Sequence, residues 1–194
     1  MFKNIIYILQ FVVLSNVIIY AQVNGQSLQF TRERIEIKIQ DNNCCVMGKY
    51  YFTNNTSRVI QHMMYYPFVV NQSLPFPDSM LVDDEGTNSI VPFRKSENGI
   101  LFSIAISPMA SKIYKVTYYQ RTPDNFMEYI LTTTRQWGQP LDIGEYIVDM
   151  PNKYKMKYLS MKIDSVKNNS GYTSYILNRE HFMPEKNLTI KWER

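Results

Sequence analysis

The residues best suited to chemistry in this sequence are two adjacent cysteines, Cys44 and Cys45, and two histidines, His62 and His181. A cysteine nucleophile needs a base within reach. Cys44 or Cys45 with His62 would meet that need if residues 44–68 fold as strand, turn and strand, because neighbouring strands bring such positions close. A structural cysteine in a strand is the plainer expectation. Successive side chains of a strand point to opposite faces, so one thiol should face inward and the other outward. The sharper alternatives are a strained vicinal disulfide acting as a redox switch, or an intermolecular bond. One adjacent pair closes no long loop and so cannot staple a scaffold. There is no Gly-x-Ser-x-Gly and no glycine-rich phosphate loop, and only 7 residues are glycine. No catalytic residue is assigned, and the chain is expected to be a non-enzyme without a cofactor.

A metal site is not expected either. Zinc sites usually show closely spaced His or Cys pairs, whereas His62 and His181 lie far apart in sequence. Asp83-Asp84-Glu85-Gly86 carries oxygen ligands but lacks the alternate spacing of a calcium loop; a solvated acidic turn is expected. Aromatics are abundant: 15 Tyr, 10 Phe and 2 Trp. Tyr65-Tyr66 and Tyr118-Tyr119 are adjacent pairs in strand-like runs, so one member of each should face out. Exposed tyrosines on a sheet can stack on sugars or anchor a protein partner. Tyr65, Tyr118 and Trp137 are the candidate ligand contacts, beside the ordinary expectation of sandwich packing.

These residues must be positioned by strands. Residues 34–40 alternate cleanly, with Ile35, Ile37 and Ile39 on one face and Arg34, Glu36 and Lys38 on the other. Val46, Gly48, Tyr50 and Phe52 share a face of the next run, and Thr53 to Ser57 form a polar turn before residues 59–68. Pro75 and Pro77 mark a loop or edge, and Pro92 makes residues 90–94 an edge. Ile100, Phe102, Ile104 and Ile106 share a face after the tight-turn pair Asn98-Gly99. Further strands are expected over 112–119, 126–134, 141–150, 158–163, 172–177 and 188–192, with a corner at Trp137-Gly138-Gln139-Pro140. Residues 27–30 read as a short edge segment. The total is about eleven short strands with no convincing helix. Without crossover helices parallel pairing is not expected, and the fold class is all-β: an antiparallel sandwich.

The 194 residues allow one domain. Residues 1–25 have the layout of an export signal: Lys3, an apolar run over 5–20, then Val23 and Gly25 as small residues before a cut. The rival is an uncleaved anchor, but a spanning helix needs roughly 20 apolar residues and Gln10, Ser15 and Asn16 interrupt this run. Cleavage after Gly25 leaves a single domain over 26–194 and lowers the formal net charge from +4 to +3, since only Lys3 is lost. Basic residues are interleaved with acids, as in Arg32-Glu33-Arg34-Ile35-Glu36, so nucleic acid is not an expected partner. Asn54, Asn55, Asn71, Asn168 and Asn187 begin Asn-x-Ser/Thr triplets, which matter only where N-glycans are added.

Three stretches together carry a resemblance. They are Val46-Met47-Gly48-Lys49-Tyr50-Tyr51-Phe52-Thr53-Asn54 with Tyr66-Pro67-Phe68; Tyr129-Ile130-Leu131-Thr132-Thr133-Thr134 with Trp137-Gly138-Gln139-Pro140-Leu141; and Phe182-Met183-Pro184-Glu185-Lys186-Asn187-Leu188-Thr189-Ile190. In that order the chain resembles a group of exported bacterial β-sandwich proteins catalogued as domains of unknown function. The resemblance implies export and a sandwich, and carries no catalytic residues. The expectation is an exported, non-catalytic module of the cell envelope whose partner is an envelope protein or a glycan. A carbohydrate-binding module using exposed tyrosines and Trp137 is the alternative, and an envelope hydrolase using Cys45 or His62 comes third. Membrane contact is expected only through an uncleaved N-terminal segment.

Overall fold

A computed structural model describes residues 28–194, so the export-signal reading of residues 1–25 lies outside the described residues. Fourteen strands and one short 3-10 turn run in the order β1 (Leu28–Ile39), β2 (Asn43–Asn54), β3 (Ile60–Pro67), β4 (Ser79–Asp84), β5 (Ser89–Ile90), β6 (Phe93–Ser96), β7 (Gly99–Ile106), β8 (Ala110–Arg121), β9 (Phe126–Tyr129), the 3-10 turn Thr132–Trp137, β10 (Leu141–Pro151), β11 (Lys155–Leu159), β12 (Ser165–Asn169), β13 (Tyr172–Phe182) and β14 (Leu188–Glu193). The all-β expectation holds. The strand count was low because short strands such as β5 and β6 flank Pro92 rather than merge into one edge.

One eight-stranded sheet, ordered β12-β13-β10-β1-β2-β8-β4-β5, is packed on one face by two three-stranded sheets, β11-β14-β9 and β3-β7-β6. The expected alternation is what builds the contact. Ile35, Ile37 and Ile39 of β1, Val46 and Phe52 of β2, and Val116 and Tyr118 of β8 face inward and are buried. Against them lie Ile100, Phe102, Ile104 and Ile106 of β7 and Met127, Leu188, Ile190 and Trp192 of β9 and β14, all in one core. The opposite side of β1 and β2 stays partly wet, as the alternating burial of β2 shows.

Three expectations need correction. The sheet is mixed: β1 pairs parallel with β10, from Arg32 opposite Ile143 to Lys38 opposite Asp149. A parallel pair needs a long crossover, usually but not necessarily a helix; here the crossover is the whole run of strands between β1 and β10. Second, residues 44–68 are not a hairpin. Both edges of β2 are taken, by β1 and β8, so β3 has no edge to pair with and joins β7 in a small sheet. Asn54 makes the corner: its buried side-chain amide donates to the carbonyls of Arg58, Ile106 and Ser107 at 2.7, 3.0 and 3.0 Å. Those bonds bury Asn54 and remove it as a glycan acceptor. Third, Leu28, Gln29 and Phe30 are no edge segment; they begin β1 at the centre of the large sheet. A register shift between Phe30 and Arg32 breaks the two-residue rhythm there, as a bulge does, and so hides the strand's true start.

The expected strand over 126–134 also stops early. β9 ends at Tyr129, and Thr132–Trp137 coil into the 3-10 turn, which closes on Gly138 at φ 69°. That left-handed angle suits glycine; Trp137, just before it, packs on Phe30 and Phe52.

Candidate functional site

Where the large sheet meets both small sheets, the core opens into a cavity of about 370 Å³. Its walls are aromatic: Phe30, Tyr50, Phe52, Tyr66, Tyr129 and Trp137 all line it. Trp137 packs on Phe30 and Phe52, with ring centroids 5.7 and 5.4 Å away. Each layer contributes. β1 and β2 supply the floor, β3 and β7 one wall, and β9 with the 3-10 turn the other.

Two tyrosines reach their places through glycines. A methyl group at Gly48 would overlap the Tyr50 hydroxyl, and one at Gly144 would lie 2.7 Å from that of Tyr146. Each ring therefore lies back along its own strand over the glycine two residues earlier. In register, Glu33 of β1 stands opposite Tyr50 on one side and Gly144 on the other. With no side chain at Gly144, the Tyr146 hydroxyl reaches across and donates to Glu33 Oε1 at 2.6 Å.

Glu33 is the centre of the site. Only 3% of it is exposed, yet it lines the cavity. Burial pushes its carboxyl up to about 7, and the Tyr146 hydrogen bond only partly opposes that shift. Beside it Tyr50 donates to Tyr66 at 2.8 Å, Tyr66 donates to Tyr129 at 3.4 Å, and Tyr129 and Tyr50 lie 2.6 Å apart. The three hydroxyls form a closed ring. Burial pushes all three phenols well up, and the Glu33 charge adds to that, so they are neutral donors and acceptors at any ordinary pH.

The expected site residues are dispersed. Tyr65 is half-exposed and Trp137 partly covered, and both line the cavity. Tyr118 is the inward member of its pair, buried against Tyr66 and Phe68, while Tyr119 faces out; Tyr118 is therefore not placed to meet a ligand at the surface. Cys44 is buried and Cys45 half-exposed, both free, on opposite faces of β2 as alternation requires. Burial pushes the Cys44 thiol up to about 12, which leaves it a poor nucleophile. Cys45 shares a sheet position with Tyr119 and Lys38 on the outer side, whereas His62 lies on β3 against Trp137, ring centroids 5.7 Å apart. The hairpin that would have joined Cys45 to His62 does not exist, and the two stand in different layers. His181 is exposed at φ 46°.

The acidic turn is matched by lysines: Lys115 to Asp83 at 3.2 Å, Lys112 to Asp84 at 2.6 Å and Lys49 to Glu85 at 2.7 Å. Burial pushes the Asp84 carboxyl up, but the Lys112 ammonium and backbone N–H groups outweigh it and hold it below its usual value. Among the described residues no group of three or more His, Cys, Asp or Glu could hold a metal ion.

The sequence carries a signal for Glu33 that composition alone hides. Glu33 lies two residues before Ile35, on the face that Ile35, Ile37 and Ile39 define; an acid continuing an apolar face is a buried acid. Its neighbours Arg32, Arg34 and Glu36 make it look like one of several interleaved charges.

No family model matches the chain, and no curated protein does. Solved structures share its fold. A Legionella pneumophila protein described as a candidate nutrient-binding protein superposes with a TM-score of 0.69 at 13% identity, over 85% of this chain and 66% of that one. An M1 zinc metallopeptidase from Deinococcus radiodurans superposes at 0.51 with 6% identity, over 86% of this chain and 42% of that one. An E323A mutant of that metallopeptidase gives 0.52 at 6% identity with the same coverage. This chain thus spans under half the length of the metallopeptidases, and what is common to all of them is the β-rich architecture.

Proposed function

We propose that this chain is an exported, non-catalytic β-sandwich that serves as a binding module at the cell envelope, and that its ligand occupies the cavity at the junction of the three sheets. The observation that carries this reading is the cavity itself. Its volume and aromatic walls, with a few convergent polar groups, are those of a small-molecule site, and Glu33 is a buried acid that packing alone does not need. The description of the Legionella protein as nutrient-binding points the same way. The one nucleophile and base pair that the sequence suggested, Cys45 with His62, is split between two sheets.

The test is a ligand-observed NMR screen of small metabolites against the purified chain and a Trp137→Ala variant. Binders that compete with one another and vanish in the variant are the expected result. A screen without binders, or with binders indifferent to Trp137, would sink the cavity reading. Export is tested separately, by fractionating the source cells; recovery of the intact chain, leader included, from the cell interior would end that part of the proposal.

A glycan reading has one observation in its favour. Tyr65 is 50% exposed and lies at the same cavity as Trp137, so a sugar face could stack at the mouth. A glycan array separates this from a ligand held deep inside.

A further inference from the structure

The polar groups deep in the cavity are one-sided. The hydroxyl hydrogens of Tyr50, Tyr66 and Tyr129 are spent on each other in their ring. That of Tyr146 is spent on Glu33, and that of Tyr114 on the Ala105 carbonyl at 3.1 Å. What remains is acceptors: the Glu33 carboxyl and the free lone pairs of the hydroxyl ring. Among the described residues no lysine or arginine lines the cavity. The remaining polar side chains, His62, Tyr65, Thr133, Gln136 and Trp137 with its indole N–H, come from β3 and the 3-10 turn, and His62, Tyr65 and Gln136 are exposed.

Among the described residues Glu33 therefore has a hydrogen-bond donor but no counter-charge. A buried carboxylate is usually paired or coordinates a metal; no cationic side chain among the described residues pairs with this one. Around it stand the faces and edges of Tyr50, Tyr66, Phe30 and Trp137, the surroundings that attract a cation through the ring quadrupole. A neutral ligand would find few free donors, and an anion would meet an uncompensated negative charge. A bare metal ion would find one carboxylate where hard cations want six or more oxygens.

We propose that the cavity takes the primary ammonium group of a small amine with an apolar stem, Glu33 supplying the counter-charge, the Tyr50–Tyr66–Tyr129 hydroxyls accepting its N–H groups and the surrounding rings covering its stem. This rests on the reading of the cavity as the ligand site and names the class of ligand. The ammonium brings what the groups around Glu33 do not offer, free donors and positive charge. Each of its three N–H groups has an acceptor within the set.

The experiment is isothermal titration calorimetry of the purified chain at pH 8 with three probes of one shape: 2-phenylethylammonium, 2-phenylethanol and phenylacetate. The amine is expected to bind at least about tenfold tighter than the alcohol, with phenylacetate undetected. In Glu33→Gln, which keeps the side-chain shape and an acceptor for Tyr146, amine affinity should fall to that of the alcohol while the alcohol is unchanged. Equal binding of amine and alcohol by the unaltered chain overturns the ammonium inference and leaves the cavity standing as a site. So does an amine affinity indifferent to Glu33→Gln. Binding of none of the three, with no competition against any ligand found by screening, overturns the inference and the cavity reading together. The comparison of probes on the unaltered chain decides the matter even where the variant folds poorly.

Discussion

The two ends of β1 make the instructive comparison. At one end Ile37 stands opposite Val46 of β2 and Val148 of β10, and the three side chains are sealed with at most 1% exposure. Four residues back along the same strand and the same face, Glu33 stands opposite Tyr50 and Gly144. The backbone, the pairing and the rhythm are the same. What differs is the composition of the row. Branched aliphatics interdigitate and leave no space. A glycine beside two long tyrosines leaves a gap that the rings bridge with hydroxyls, and the gap becomes polar and open. A sheet can thus carry a core and a binding site on one face, and change from one to the other within about 13 Å, four residues at the usual rise.

If that contrast is right, substitutions at the two ends should behave differently. The largest loss is expected at the sealed end. Ile37→Ala should lower unfolding free energy by about 2 to 5 kcal/mol, measured by urea titration, and leave ligand affinity at the cavity unchanged. A loss under about 1 kcal/mol would mean that end is not tightly packed.

Glu33→Gln should do the opposite and stabilise the chain at pH 8. In the folded chain burial raises the carboxyl from 4.5 to about 7, so between those values the folded state holds a proton the unfolded state has released. Stability due to this group is present below about pH 4.5 and is lost as pH rises through about 7. The full loss is about 3 kcal/mol. The variant should therefore match the wild type near pH 4 and exceed it by up to that amount at pH 8. A difference that does not change with pH would show that Glu33 is not buried without a counter-charge.

Tyr146→Phe removes the one donor to Glu33 among the described residues and should cost about 1.5 to 3 kcal/mol at pH 8. Near pH 4, where Glu33 is neutral, the cost should be smaller; equal costs at both pH values would deny the bond its charge. The smallest effect is a contrast in reactivity. In the folded chain a thiol reagent at pH 8 should label Cys45 and leave Cys44, whose thiol burial pushes to about 12, untouched until denaturant is added. Rapid labelling of both would show that the sealed end breathes.

The legible parts of the molecule were those set by local rhythm. The inward sets Ile35-Ile37-Ile39, Val46-Gly48-Tyr50-Phe52 and Ile100-Phe102-Ile104-Ile106 were all read correctly, and the opposite orientation of Cys44 and Cys45 with them. Sequence and structure part wherever a pattern is interrupted or a strand has a choice of partner. The bulge at Phe30 hid the start of β1. The polar turn after Asn54 looked like a hairpin because sequence cannot show that both edges of β2 are occupied. Of Tyr118 and Tyr119 one faces in and one out, as alternation predicts, but Tyr118, the candidate contact, is the buried one. Of the candidate site, Tyr65 and Trp137 came from sequence, and Glu33 with the ring of hydroxyls did not.

By itself the sequence determined that the described chain would be strands with one dry and one wet face, because side-chain alternation follows from covalent geometry and needs no partner. Only the tertiary structure decided which strands meet, that β1 pairs parallel with β10, and that Glu33 faces a gap rather than an aliphatic row. Those outcomes depend on residues more than a hundred positions apart, Glu33 and Tyr146 among them, and on how three sheets share one core.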